Sequence, residues 1–217
     1  MNIPPKQREI YLTPDKSVLI NDQVFFQTGD DGVHQWESGI VLARYLLSLN
    51  PSCSILELGS GSGLVGIVCK KFTPATSVTL TDFNQKVLEN IRLNLLRNSV
   101  DTEVRFLDWR DPNTYAQRAD FVVGSDLIYD GAPIRDLIHC LKSHLNPNGT
   151  IFILMPDKRK MTPVFLNAAQ EMGLAYNTEE LNGWFTSSPH TDLQKGFQDF
   201  AELTMRKYLL YTLTPIE

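Results

Sequence analysis

Residues Ile55 to Gly63 read Ile-Leu-Glu-Leu-Gly-Ser-Gly-Ser-Gly, an apolar run that ends in an acid and breaks into alternating glycines. A buried parallel strand ends this way when the chain must turn sharply beneath a nucleotide-like ligand and enter a helix. Glycine leaves no Cβ between the backbone and that ligand. Gly61, Gly63 and Gly66 also satisfy G-x-G-x-x-G, so the letters admit either a dinucleotide or S-adenosylmethionine (SAM). Glu57 shifts the balance. A pyrophosphate brings negative charge to the helix N-terminus, whereas SAM carries an ammonium and a sulfonium, which a nearby carboxylate attracts.

Three further positions extend the pattern. Asp82 ends a second apolar run, where a carboxylate can accept both ribose hydroxyls. It could equally cap the helix that follows. Asp108-Trp109 ends a third, with an acid for an exocyclic amine and an aromatic for a ring face; a surface Asp beside a core Trp is the bland alternative. Ser125-Asp126-Leu127-Ile128-Tyr129 leaves a fourth, in the middle of such a sheet, where ligands meet strand ends. Trp36, just before an N-terminal helix, is an aromatic that could close over a cofactor or fill the core.

The elements that must hold these residues follow from periodicity. Strands are expected at 54–58, 77–81, 104–107, 121–124 and 150–155, alternating with helices at 64–72, 84–97, 134–145 and 162–172. That alternation implies a parallel sheet with helices on both faces. A helix over 37–49 precedes it, stopped by Asn50-Pro51. Short strands at Ile10–Leu12, Val18–Ile20 and Val24–Phe26 make residues 1–35 a β extension, with residues 36–217 as one unit. Two last strands, 174–181 and 206–214, lack a crossover helix between them. They read as a reversed antiparallel pair at a sheet edge, giving seven strands in all. The aromatic segment between them, 182–202, with Trp184, Phe185, Phe197 and Phe200, reads as a substrate-facing insertion.

Composition narrows the class. The chain has 217 residues, 42% apolar and 21% charged, with a net charge of −5. An acidic balance argues against a broad nucleic-acid-binding face. No apolar stretch approaches the roughly 20 residues of a membrane-spanning helix, and the start lacks the build of a secretory signal. Three widely spaced cysteines read as reduced thiols of a cytosolic or nuclear protein. The four histidines show no metal-ligand spacing, so no metal site is expected.

Taken together, the chain resembles the seven-strand, class I SAM-dependent methyltransferases and, within them, the family 16 protein-lysine methyltransferases of the methyltransferase-like 21 type. The resemblance rests on Trp36-Glu37 with Val41-Leu42-Ala43, the run Leu56 to Leu64, Thr81-Asp82, Leu107-Asp108-Trp109 and Ser125 to Tyr129. It covers residues 30–155 well and the remainder loosely. It implies a Rossmann-like, mostly parallel seven-stranded α/β sheet with an antiparallel C-terminal strand. Glu57, Gly59, Gly61 and Asp82, with Ser125, would hold the methionine and ribose portions of SAM. Asp108 and Trp109 would hold adenine, Trp36 would pack on the cofactor, and Asp126 and Tyr129 would line a lysine channel. The implied reaction moves a methyl group from SAM to a lysine amine of a protein, leaving S-adenosylhomocysteine (SAH). The Asn/Asp-Pro-Pro-Tyr of enzymes acting on planar amide or base nitrogens is missing after the fourth strand. Histidine, arginine or a small molecule as acceptor, and a non-catalytic SAM-binding adaptor, remain as alternatives. Lys158-Arg159-Lys160 suggests an acidic acceptor surface, and a monomer is expected.

Overall fold

Successive strand residues divide between two cores. Ile55, Val123, Phe152 and Leu154 bury in one cluster, while Leu56, Val122, Ile151 and Ile153 bury in the other. This period of two is what a sheet covered on both faces imposes on its central strands. In the computed structural model residues 6–22, 36–115, 117–187 and 202–216 are described.

The chain order is β1 (Lys6–Thr13), β2 (Lys16–Asp22), α1 (Glu37–Leu49), β3 (Ser54–Glu57), α2 (Leu64–Phe72), β4 (Ser77–Asp82), α3 (Gln85–Arg97), β5 (Glu103–Phe106), β6 (Ala119–Ser125), α4 (Ile134–Ser143), β7 (Leu145–Pro156), α5 (Thr162–Glu171), β8 (Leu174–Leu181), α6 (Glu202–Met205) and β9 (Tyr208–Pro215). Helices α1, α2 and α3 pack on the first face and α4 and α5 on the second. The expected strand at Val24–Phe26 lies outside the described residues.

Seven strands form the main sheet in the order β5-β4-β3-β6-β7-β9-β8. β3 pairs in parallel with both β4 and β6. The chain therefore walks outward through β4 and β5, then returns to the other side of β3. That reversal opens a crevice at the carboxyl ends of β3 and β6, where open α/β sheets bind ligands.

The last strands correct one expectation. β9 inserts between β7 and β8 and is antiparallel to both. β8 therefore runs with the five parallel strands, and β9 alone is reversed. The crossover helix to β8 is α5, which precedes the strand. The helix expected over 134–145 also differs: α4 ends at Ser143, and Asn146–Gly149 form an irregularity in β7, between the pairings Ala119–Leu145 and Phe121–Thr150.

The β1–β2 hairpin is docked by a ladder of amides. Asn90, Asn94 and Asn98 recur every four residues on one face of α3, and all are buried. Asn98 Nδ2 donates to the Leu19 carbonyl at 2.7 Å and its Oδ1 accepts from Leu19 N–H at 2.9 Å, a side-chain imitation of a β-bridge. Asn94 Oδ1 accepts from Asn21 N–H at 2.8 Å, and its Nδ2 donates to the Ser62 carbonyl at 2.8 Å in the glycine turn. The edge of β2 is thus satisfied by helix side chains where a sheet would use another strand. Ile10, Leu12, Val18 and Ile20 meanwhile bury in the same core as α1 to α3.

Replacing Asn94 with Ala strands a buried N–H on Asn21 and a buried C=O on Ser62. Each unpartnered group costs about 1–3 kcal/mol, so Asn94→Ala is expected to lose roughly 2–4 kcal/mol of stability. Urea denaturation midpoints, with the m-value unchanged, measure this loss.

Candidate functional site

The turn after β3 is the floor of the site. Gly59, Gly61 and Gly63 adopt φ values of 57°, 55° and 80°, in the left-handed region that a side chain resists. A Cβ at Gly59 would lie 2.8 Å from Leu127 Cδ2, and one at Gly66 would lie 2.6 Å from Leu80 Cγ. The first glycines let the chain reverse; Gly66 lets α2 press against β4.

Backbone and side-chain bonds lock this turn to β4. Ser60 N–H donates to the Thr81 carbonyl at 2.8 Å, and Thr81 N–H donates to Ser60 Oγ at 3.0 Å. Thr81 Oγ1 donates to the Glu57 carbonyl at 2.7 Å. Glu57 itself is buried, and its Oε2 accepts from Gly66 N–H at 2.9 Å in the first turn of α2. The carboxyl thereby satisfies one of the donors that a helix start leaves open. It also lines a narrow recess of about 30 Å³ shared with Trp36, Gly39 and Ser125.

Beside that recess lies a cavity of about 440 Å³, within the range of roughly 300–1,000 Å³ usual for small-molecule sites. Its lining comes from every neighbouring strand end: Gly59 and Gly61 after β3, Asp82 ending β4, Trp109 after β5, Ser125, Asp126 and Tyr129 at the end of β6 and beyond it. Trp36 closes the α1 side. Asp82 is buried; its Oδ1 accepts from Asn84 N–H at 3.0 Å, and its Oδ2 meets Gly61 N–H only at 3.4 Å. That second oxygen has capacity left for a ligand hydroxyl.

Two placements differ from a simple reading of the motifs. The Asp108 carboxylate turns to Arg110, accepting from Nε at 2.9 Å and Nη2 at 2.8 Å, and it is not among the residues lining the cavity. The Arg110 hydrogen bonds hold Asp108 below the usual carboxylate range. Asp126 has a left-handed backbone, φ 58°, and its carboxylate forms a two-point pair with Arg159, at 2.8 Å from Nε and 2.5 Å from Nη2. Burial raises the Tyr129 phenol above its ordinary value.

Several lining residues escape a reading from sequence. Phe83, Asn84 and Val87 line the cavity because α3 begins directly after Asp82, so any residue there faces the crevice. Arg159 sat unmarked within Lys158-Arg159-Lys160. Its neighbours are exposed, and it alone reaches the cavity. Among the described residues, no cluster of three potential metal ligands occurs.

The model of a family described as lysine methyltransferase matches residues 15–172. Protein N-lysine methyltransferase METTL21A of Xenopus tropicalis is 32% identical over 55% of this chain and 57% of its own length. Protein-lysine N-methyltransferase EEF2KMT of Mus musculus is 28% identical over 92% of this chain and 65% of its own. The chain thus spans a little over half the length of these curated relatives. The solved structure of SMU.776, complexed with SAH, superposes with a TM-score of 0.64 at 13% identity, covering 98% of this chain and 57% of that one. At that identity the likeness speaks for the fold.

Burial pushes Glu57 up to about 8 and Asp82 up to about 6, against ordinary values of 4.5 and 3.8. Between the two values of each pair the folded state holds a proton that the unfolded chain has released. Stability therefore falls as pH rises from the ordinary value to the raised one. For Glu57 the window is pH 4.5 to about 8. Glu57→Gln keeps an acceptor for Gly66 and is expected to flatten that decline in thermal unfolding midpoints between pH 5 and 8. An equal decline in both proteins would assign the effect elsewhere.

Proposed function

The chain belongs to the lysine methyltransferase family, and on that premise we propose that it transfers a methyl group from SAM to a lysine amine of a protein, releasing SAH. The observation carrying this reading is that one cavity joins the glycine turn, Asp82 and Trp109 to Asp126 and Tyr129.

The lining fits the cofactor. Its charged groups are Asp82, Asp126 and Arg159, and no cation lies in the first turn of α2, so the wall suits a cation more than a pyrophosphate. In this reading Asp82 holds the ribose hydroxyls, and Gly59, Gly61, Ser125 and the Glu57 recess take the methionine portion. Trp109 and Phe83 flank the base and Trp36 packs over the cofactor, while Asp108, turned to Arg110, stays outside the lining. Bound SAM supplies an electrophilic methyl on a sulfonium that leaves readily.

The protein's own contribution is alignment. A lysine titrates near about 10.4, so the amine must shed a proton before it attacks. Tyr129 lines the cavity and remains protonated at neutral pH; it orients the incoming amine as a hydrogen-bond partner. Asp126 borders the acceptor end and accepts a hydrogen bond from the incoming amine, whose proton leaves to water. Exposed Lys158 and Lys160 flank this end and support an acidic acceptor surface. Among the described residues no helix is long and apolar enough to cross a membrane; three free cysteines suit a reducing, cytosolic or nuclear setting. Residues 1–35, whose described part is the β1–β2 hairpin, are read as an extension of the 36–217 unit.

Incubation with labelled SAM and a cell lysate, followed by mass-spectrometric mapping, is expected to place the label on a lysine. Asp126→Ala is expected to abolish transfer while SAH still binds. Asp82→Ala should weaken SAH binding about 10- to 100-fold by calorimetry, the worth of charged hydrogen bonds. SAH binding with no labelled protein in any lysate would favour a non-catalytic adaptor, and label on histidine or a small molecule would reassign the acceptor.

A further inference from the structure

Asp126 is not a bare carboxylate. Its side chain is 7% exposed, and both of its oxygens engage the Arg159 guanidinium, itself 30% exposed. The pair bridges the loops after β6 and β7, and Asp126 N–H donates to the Leu154 carbonyl at 2.8 Å. Asp126 also pays for a left-handed backbone, a conformation that costs a residue with a side chain about 1–3 kcal/mol. A two-point arginine contact holds a carboxylate in one plane as a lysine cannot, and arginine does not deprotonate in proteins.

We propose that Arg159 is a positioning and specificity-determining residue for the acceptor: it fixes the Asp126 carboxylate in this turn and cancels its charge, so that the acceptor end of the cavity receives an amine already stripped of its proton instead of trapping the ammonium.

The chemistry requires some such device. An unpaired, buried carboxylate would bind a lysine ammonium well and raise its pKa, holding it in the form that cannot attack. Tight binding of the wrong protonation state lowers KM without raising kcat. With Arg159 in place the pair is neutral, yet the carboxylate oxygens keep lone pairs that can accept from an amine N–H. Among the described residues the other charged or titratable groups here include Asp82 and Tyr129 on the cavity wall, Arg110 paired with Asp108 at the β5 exit, exposed Lys158, and Asp130, whose Oδ2 lies 4.0 Å from Lys160. Glu57 sits in the adjoining recess. None of these touches Asp126 as Arg159 does.

The inference rests on the lysine-methyltransferase reading, and its test separates the two. n-Butylamine serves as the probe of a lysine side-chain end, titrated by calorimetry into the protein saturated with SAH. Wild-type affinity is expected to rise about tenfold per pH unit between pH 7 and 9, following the neutral fraction of an amine titrating near about 10.4. Arg159→Gln is expected to bind the probe more tightly at pH 7 and to lose most of that slope. The double variant Asp126→Asn with Arg159→Gln, neutral again, should recover the wild-type slope. Glu57 titrates in the same range but is common to all three proteins, so differences among them read the Asp126 charge. On the acceptor protein found in the lysate, Arg159→Gln should lower both KM and kcat, with the acid limb of kcat moved up by about one pH unit or more. A wild-type affinity that is flat between pH 7 and 9 would overturn the proposal without any variant. So would an Arg159→Gln slope equal to wild type, or a double variant that fails to recover it. If no acceptor is labelled, the enzymatic reading falls, while the butylamine titration still decides the role of Arg159.

Discussion

A carboxyl sealed under a helix start is the constraint on which the site depends. Glu57 ends β3 and bonds to Gly66 N–H in the first turn of α2. That contact fixes the angle at which α2 leaves the sheet, and hence the path of the intervening glycine turn. Each further tie to the turn comes from a different layer: Thr81 and Ser60 from β4 and the turn itself, and Asn94 from α3. Because Asn94 also holds Asn21, the cofactor-side turn and the β1–β2 hairpin share one buried amide. The hairpin is therefore part of what holds the turn in place, although it lies far from the carboxyl edge in sequence.

Much of this was legible in the chain because it is local. Helices at Glu37–Leu49 and Leu64–Phe72 keep the bounds their apolar spacing predicts. The strand ends that bear Glu57, Asp82 and Ser125 are marked by the switch from apolar run to acid or glycine. What was not legible is relational. Asn90, Asn94 and Asn98 look like the wet side of an amphipathic helix, since polarity alone cannot distinguish solvent from the backbone of a neighbouring hairpin. The direction of β8 is hidden for a similar reason. Its residues between Leu174 and Leu181 are exposed, as on any edge strand, and nothing in their pattern tells which neighbour it pairs with or in which sense.

Charge was the least legible feature. Asp108 and Asp126 were singled out as ligand-facing acids, and both carry an arginine in the folded chain. For Asp108 the partner is two residues away; for Asp126 it is thirty-three residues on, in the next strand's exit loop. A run of three basic residues cannot announce which of them turns inward. The consequence is that the cavity is less acidic than its motif acids suggest: among the described residues Asp82 has no paired cation, and the Asp126–Arg159 end is close to neutral. In the proposed reading, cofactor recognition and acceptor recognition are thus electrostatically separate tasks within a single crevice.

The place of β9 carries a further consequence for the acceptor side. Tyr208, its first residue, pairs with Pro156 at the end of β7 and with Leu181 at the end of β8. Because β9 alone is reversed, the connection from β8 must both leave and re-enter the sheet at the carboxyl edge, the edge that holds the cavity. Its described beginning is anchored there: buried Arg44 of α1 donates to the carbonyls of Phe185 and Ser187 at 2.9 and 2.8 Å, and also to that of Tyr11 in β1 at 3.0 Å. Its end is anchored beside the Arg159 loop, where Asp157 N–H donates to the Lys207 carbonyl at 3.0 Å. Phe197 and Phe200 lie outside the described residues, but Trp184 and Phe185 stack with centroids 4.5 Å apart, and Phe185 meets Tyr45 of α1. A single strand reversal thus commits both ends of this connection to the cavity edge, which a plain β-α-β crossover would not do.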